Sequence, residues 1–152
     1  MLKVGDAAPD FRLLDHTGKE RSLEQMKGKR FVLWFYPKAD TKGCTMEGCG
    51  FRDRNADFLK LGVEILGISF DTPKDNAAFV KKFEFPYALL CDTDKKVSIA
   101  YGAAADEKAA WPNRITYVIG ADGKIEKVYE KVDVKIHANE ILEQLGGAKA
   151  PK

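Results

Sequence analysis

The sequence predicts an α/β domain in which helices pack against a mixed β-sheet, and three observations carry that expectation. Two runs, residues 31–36 and 63–70, are apolar along most of their length instead of alternating, as strands buried on both faces are. Each is followed by a segment with apolar residues at helical spacing. Near the end, residues 124–129 alternate cleanly behind Ala121-Asp122-Gly123, which reads as the second arm of a hairpin. A chain of 152 residues suffices for one domain with a sizeable core, taken here as 1–152.

The elements follow in order. Residues 11–15 are strand-like, 16–19 read as a turn and 20–23 return, giving an N-terminal β-hairpin. Ser22 can cap a brief helical turn that ends at Gly28. After the apolar run 31–36, a helix is expected over about residues 42–61, capped by Asp40 or Thr41 and closed by Gly62. Phe51, Phe58 and Leu61 supply part of its apolar face. The strand 63–70 leads to a helix opened by Pro73, with Phe79, Val80 and Phe83 spaced for packing. A strand over 87–91, a short helix over 95–101 and a polar, alanine-rich loop over 103–113 come next. Residues 115–119 form the strand that pairs with 124–129. A last helix over about 136–145 ends at Gly146-Gly147, and the tail 147–152 reads as frayed. A closing antiparallel hairpin followed by a helix is what a thioredoxin-like fold shows, with a central mixed β-sheet flanked by helices.

Composition excludes several classes of function. Twenty-five basic residues against 23 acidic ones leave a net charge of +2, with no basic stripe for nucleic acid. The first residues hold no apolar run that could serve as a signal peptide, and no stretch approaches the ~20 apolar residues of a membrane span. A cytoplasmic protein is therefore expected. Three cysteines, Cys44, Cys49 and Cys91, are too few for a disulfide scaffold. A metal site is disfavoured, because these thiols and two histidines show no zinc-like spacing. No cofactor is implied.

Chemistry concentrates where the apolar run 31–36 hands over to the first long helix. With Thr41 as N-cap, Cys44 falls at the third helical position, where free backbone N–H groups and the helix dipole favour a thiolate. Gly43 leaves the thiol unshielded, the Thr41 hydroxyl can bond an oxygen species, and Pro37 ends the strand and bounds a small pocket. A structural cysteine beneath an ordinary cap is the alternative. Cys49 lies five residues further on, which in a helix means a rise of about 7.5 Å and a rotation of roughly 140°. The two thiols cannot bond while the helix is intact, and can if its first turns unwind. Gly48 and Gly50 flank Cys49, and each weakens the helix by roughly 1 kcal/mol relative to alanine. Close packing is the other reason for glycine there. An activated thiol with a second thiol in reach suits oxidation to a sulfenic acid, condensation to a disulfide, and reduction by an external dithiol.

Pro37-x-x-x-Thr41-x-x-Cys44 resembles the peroxiredoxin active-site motif, and residues 43–53 resemble the bacterioferritin comigratory protein (peroxiredoxin Q) subfamily. The likeness extends through Gly5-Asp6, Ala8-Pro9-Asp10-Phe11, Ser69-x-Asp71 and Arg114-x-Thr116-Tyr117-Val118-Ile119. It implies a peroxidatic Cys44, a Thr41 that bonds the peroxide, a shielding Pro37, an active-site Arg114, and a Glu47 that orients the arginine. Cys49 matches members whose resolving cysteine lies five residues on in the same helix. Cys91 reads as a buried thiol, with a role as resolver the rival assignment. His137, alone on the last helix, reads as structural. The resemblance also implies hydroperoxide substrates, thioredoxin or another dithiol as reductant, and a monomer. A thiol–disulfide oxidoreductase or a redox sensor on the same fold is the alternative.

Overall fold

A computed structural model describes residues 2–146; the expected frayed tail lies outside them. An N-terminal hairpin of β1 (Arg12–Leu14) and β2 (Glu20–Ser22) leads through a 3-10 turn at Glu24–Met26 to β3 (Arg30–Phe35). Then come α1 (Lys42–Lys60), β4 (Val63–Ser69), α2 (Pro73–Phe83), β5 (Ala88–Cys91), α3 (Lys96–Ala100), β6 (Ile115–Ile119), β7 (Ile125–Tyr129) and α4 (His137–Gln144). The five-stranded sheet has the order β5-β4-β3-β6-β7. β3 is central, parallel to β4 and antiparallel to β6, so the sheet is mixed as expected.

The apolar run of β3 has a direct reason. Phe31, Leu33 and Phe35 point into one core with Tyr101, Tyr117 and Ile119, whereas Val32, Trp34 and Tyr36 point into another with Phe51, Phe58, Phe79 and Ile141. Successive strand residues face opposite sides, so a strand covered on both sides must be apolar at every position. α1 and α4 supply much of the second layer, through Phe51, Phe58, Ala138, Ile141 and Leu142.

Two local expectations are corrected. Leu61 is not part of the buried face: it follows the last helical residue and is 36% exposed. Neither proposed side chain caps α1. Asp40 sits in the left-handed region at φ 59° with its carboxylate paired to Lys82, and Thr41 occupies the N-cap while its hydroxyl donates to the Lys38 carbonyl. The loop 103–113 is irregular as expected, with Ala103 and Ala104 buried in it. The α2 start matches its reading, since Thr72 accepts from the Asp75 N–H and Pro73 opens the helix.

Candidate active site

The site lies at the C-terminal end of β3 and the first turn of α1. Tyr36 is fully buried, and Pro37 begins the crossing to the helix. That crossing is tied down by Asp71, which follows β4 and accepts the Ala39 N–H and the Ser69 hydroxyl, both at 2.8 Å. The Tyr36 hydroxyl donates to Asn76 Oδ1 at 2.7 Å, fixing the strand end to α2. Thr41 then turns the chain into α1, where its carbonyl takes the Thr45 N–H at 2.8 Å. Cys44 is thereby placed at the third helical position.

Cys44 is wholly buried, and the Arg114 guanidinium stands over it, with Nη2 3.5 Å from Sγ. Arg114 directly precedes β6, and β6 is the strand beside β3, so a residue 70 positions away in the chain arrives at the helix start. Gly43 makes this approach possible. A Cβ there would lie 3.0 Å from Arg114 Nη2, so a side chain would make the guanidinium give by a few tenths of an ångström.

The other edge of the guanidinium is held by Glu47, one helical turn beyond Cys44, with Nη1 2.7 Å from Oε1. Glu47 is itself 1% exposed. Burial pushes its carboxyl up to about 7, against the opposing pull of Arg114. The carboxyl thus stands near its midpoint at neutral pH, while the arginine stays charged. A fixed cation, one face on sulfur and one on a buried acid, can stabilise a thiolate and the negative charge on an oxygen leaving from it.

Cys49 is half-buried on the same unbroken helix, and burial pushes its thiol up. Both it and Cys44 are free thiols. The two flanking glycines have different reasons. A Cβ on Gly48 would strike Phe85 Cζ at 2.6 Å and Trp34 at 3.2 Å, so packing dictates glycine there. At Gly50 a Cβ would meet only Ala138 Cβ, at an ordinary 3.6 Å. Cys91 is buried at the end of β5 with Asn76 Nδ2 3.3 Å from its sulfur, and burial pushes its thiol up as well.

Cys44, Arg114 and Glu47 therefore form one cluster, with Thr41 and Pro37 on the segment that leads into it, and Cys49 stands apart along the helix. Three residues of the surroundings were given no role from the sequence: Asp71, which holds the crossing, and Thr116 and His137, which lie behind Glu47. Ser69-x-Asp71 was visible as part of a motif without a stated purpose. Among the described residues no group of three or more His, Cys, Asp or Glu could hold a metal ion.

The family model described as "AhpC/TSA family" matches residues 4–128. A putative peroxiredoxin bcp from Coxiella burnetii is 41% identical over 149 residues, covering 95% of this chain and 99% of that one. Among solved structures, peroxidoxin BcpB from Mycobacterium tuberculosis superposes with a TM-score of 0.89 at 34% identity, covering 96% of this chain and 97% of that one. The bacterioferritin comigratory protein of Xanthomonas campestris, whose structures address its alkyl peroxide reduction activity, gives 0.86 at 29% identity, with 96% of each chain covered.

Proposed function

The chain belongs to the AhpC/TSA family, in its peroxiredoxin Q/Bcp branch, and from that premise we propose that Cys44 is the thiol with which it reduces peroxides. The observation that carries this is the Arg114 guanidinium 3.5 Å from the Cys44 sulfur, braced by a buried Glu47. The Cys44 thiolate attacks the terminal oxygen of a hydroperoxide. The O–O bond breaks as an S–O bond forms, Cys44 becomes a sulfenic acid, and the departing oxygen takes a proton to leave as water or alcohol. Arg114 stabilises the charge on sulfur before the attack and on the leaving oxygen during it. The Thr41 hydroxyl already donates to the Lys38 carbonyl, so towards a substrate it acts as acceptor for the peroxide O–H. Pro37, with no N–H to offer, limits water at the mouth.

Cys49 resolves the sulfenic acid. Its sulfur attacks Cys44, water leaves, and a disulfide forms. The intact helix keeps the two too far apart, so its first turns unwind for this step. An external dithiol, thioredoxin being the expected one, then restores both thiols by exchange. Hydrogen peroxide and small organic hydroperoxides are the substrates, the protein acts as a monomer, and a reducing cytoplasm suits its three free thiols. The test is peroxide consumption with thioredoxin and its reductase, together with peptide mapping. Cys44→Ser abolishes turnover. Cys49→Ser performs one turnover and accumulates the sulfenic acid. Oxidised wild type yields a Cys44–Cys49 linkage, and a Cys44–Cys91 linkage would reassign the resolving thiol.

A further inference from the structure

Behind the Arg114–Glu47 pair lies a second buried pair that the reaction above does not use. Glu47 Oε2, the oxygen not bonded to Arg114, has no hydrogen-bond partner and stands 3.8 Å from His137 Nε2. That nitrogen is engaged elsewhere, 2.8 Å from the Thr116 hydroxyl. His137 is 1% exposed and wedged edge-on between the rings of Phe51 and Tyr129. Its Nδ1 has no hydrogen-bond partner either, with Glu140 Oε1 3.9 Å away. Thr116 lies two residues beyond Arg114 on β6, and His137 opens α4. The chain of contacts thus runs from the Cys44 sulfur through Arg114 and Glu47 to the last helix.

We propose that His137, held by Thr116, is a positioning residue of the peroxide site: with its near nitrogen committed to Thr116 it withholds a hydrogen bond from Glu47, and so keeps the Arg114 charge at the Cys44 sulfur. The argument holds for either ring tautomer. With Nε2 protonated, its hydrogen goes to Thr116; with Nδ1 protonated, Nε2 accepts from the Thr116 hydroxyl. In both cases Glu47 Oε2 gains no donor, and a buried carboxyl without one resists ionisation. A protonated Glu47 still accepts from Arg114 but does not cancel its charge; an ionised one does. The direction for His137 agrees, since burial, and secondarily Arg114, pushes its ring down to about 4 and keeps it neutral. Among the described residues, Arg114, His137 and, ahead of β5, Tyr87 face Glu47, and Cys44 lies on the other side of the Arg114 guanidinium. Those that face His137 are Glu47, Arg114, Tyr129 and, on its own helix, Glu140.

The inference rests on Cys44 as the reacting thiol. It is tested without peroxide, by the rate of iodoacetamide alkylation at the Cys44 peptide as a function of pH. Thr116→Val frees the ring to donate to Glu47, and slows alkylation about three- to tenfold near pH 6 while leaving the rate near pH 9 unchanged, as a displacement of up to about one pH unit requires. His137→Ala admits water to Glu47 and acts in the same direction. His137→Gln, whose amide can still meet Thr116, stays within about twofold of wild type. A folded Thr116→Val protein with the wild-type profile overturns the proposal, as does a His137→Gln profile displaced as far as that of His137→Ala. Should His137→Ala not fold, the other two variants decide. A failure of the underlying reading is separately visible, as turnover retained in Cys44→Ser.

Discussion

The two faces of the central sheet solve the same packing problem with different tolerance for loose ends. On the face that meets the N-terminal hairpin, buried tyrosines find partners: the Tyr117 hydroxyl donates to the Tyr101 carbonyl at 2.5 Å, and the Tyr101 hydroxyl to the Pro9 carbonyl at 2.6 Å. On the face that carries α1 and α4, Tyr36 and Tyr87 are bonded too, but Trp34 Nε1, Glu47 Oε2 and His137 Nδ1 are buried without hydrogen-bond partners, three of the four such atoms among the described residues. The fourth, Ser98 Oγ, lies on α3 beside the other core. Each such atom costs on the order of 1–3 kcal/mol relative to a satisfied one. Stability is therefore conceded on the side where Cys44 sits. The hairpin face holds the fold, and the α1 face holds a charge arrangement that the fold alone would not choose.

That contrast is open to direct attack. Arg114→Gln should lower peroxidase activity by about 10²–10³-fold, the usual cost of one lost charge-stabilising donor. It should cost little stability, because Glu47 can stay protonated. Tyr117→Phe on the opposite face should do the reverse: about 1 kcal/mol lost in denaturant unfolding with turnover kept. If Tyr117→Phe impairs catalysis as much as Arg114→Gln, the division between faces is wrong. A smaller effect separates the two glycines. Gly48→Ala should destabilise by roughly 1–3 kcal/mol through the clash with Phe85 and Trp34. Gly50→Ala should stabilise α1 by up to about 1 kcal/mol and slow disulfide formation in stopped-flow measurements.

The last contrast is in the pH dependence of stability. Glu47 has its carboxyl raised to about 7 from 4.5, so its contribution is full below pH 4.5 and is lost as pH rises through 7. His137 is depressed to about 4 from 6.5, so its contribution is full above pH 6.5 and is lost as pH falls through 4. In wild type the two slopes oppose one another between those limits. Glu47→Gln should expose the His137 slope, with stability falling on acidification. His137→Gln should expose the Glu47 slope, with stability rising on acidification, each by at most about 1.4 kcal/mol per pH unit. Urea midpoints across this range give the answer.

Much of this was legible in the sequence where the signal is local. The double-faced strand β3, the start of α1 at Lys42, and Cys44 at its third position follow from spacing alone. Arg114 and Glu47 were reachable only through family resemblance, because nothing in the spacing of two residues 67 positions apart announces that they meet. His137 was read as structural for the same reason: its partners Thr116 and Glu47 come from other elements and carry no periodic signature. The failed caps at Asp40 and Thr41 are of a different kind. Their side chains find other partners, Lys82 and the Lys38 carbonyl, in the folded crossing. Gly48 and Gly50 look alike in the sequence, and only the approach of Phe85 tells them apart.

The central claim is that α1 is a folded platform for the Cys44 thiolate in one redox state and unwinds for Cys49 in the other. Hydrogen exchange of peptides covering residues 44–52, compared between the dithiol and the peroxide-treated disulfide protein, tests it most directly. Faster exchange there in the disulfide form, with β6 protected in both, is the predicted result. Equal protection of residues 44–52 in a protein shown to carry the Cys44–Cys49 bond would contradict it.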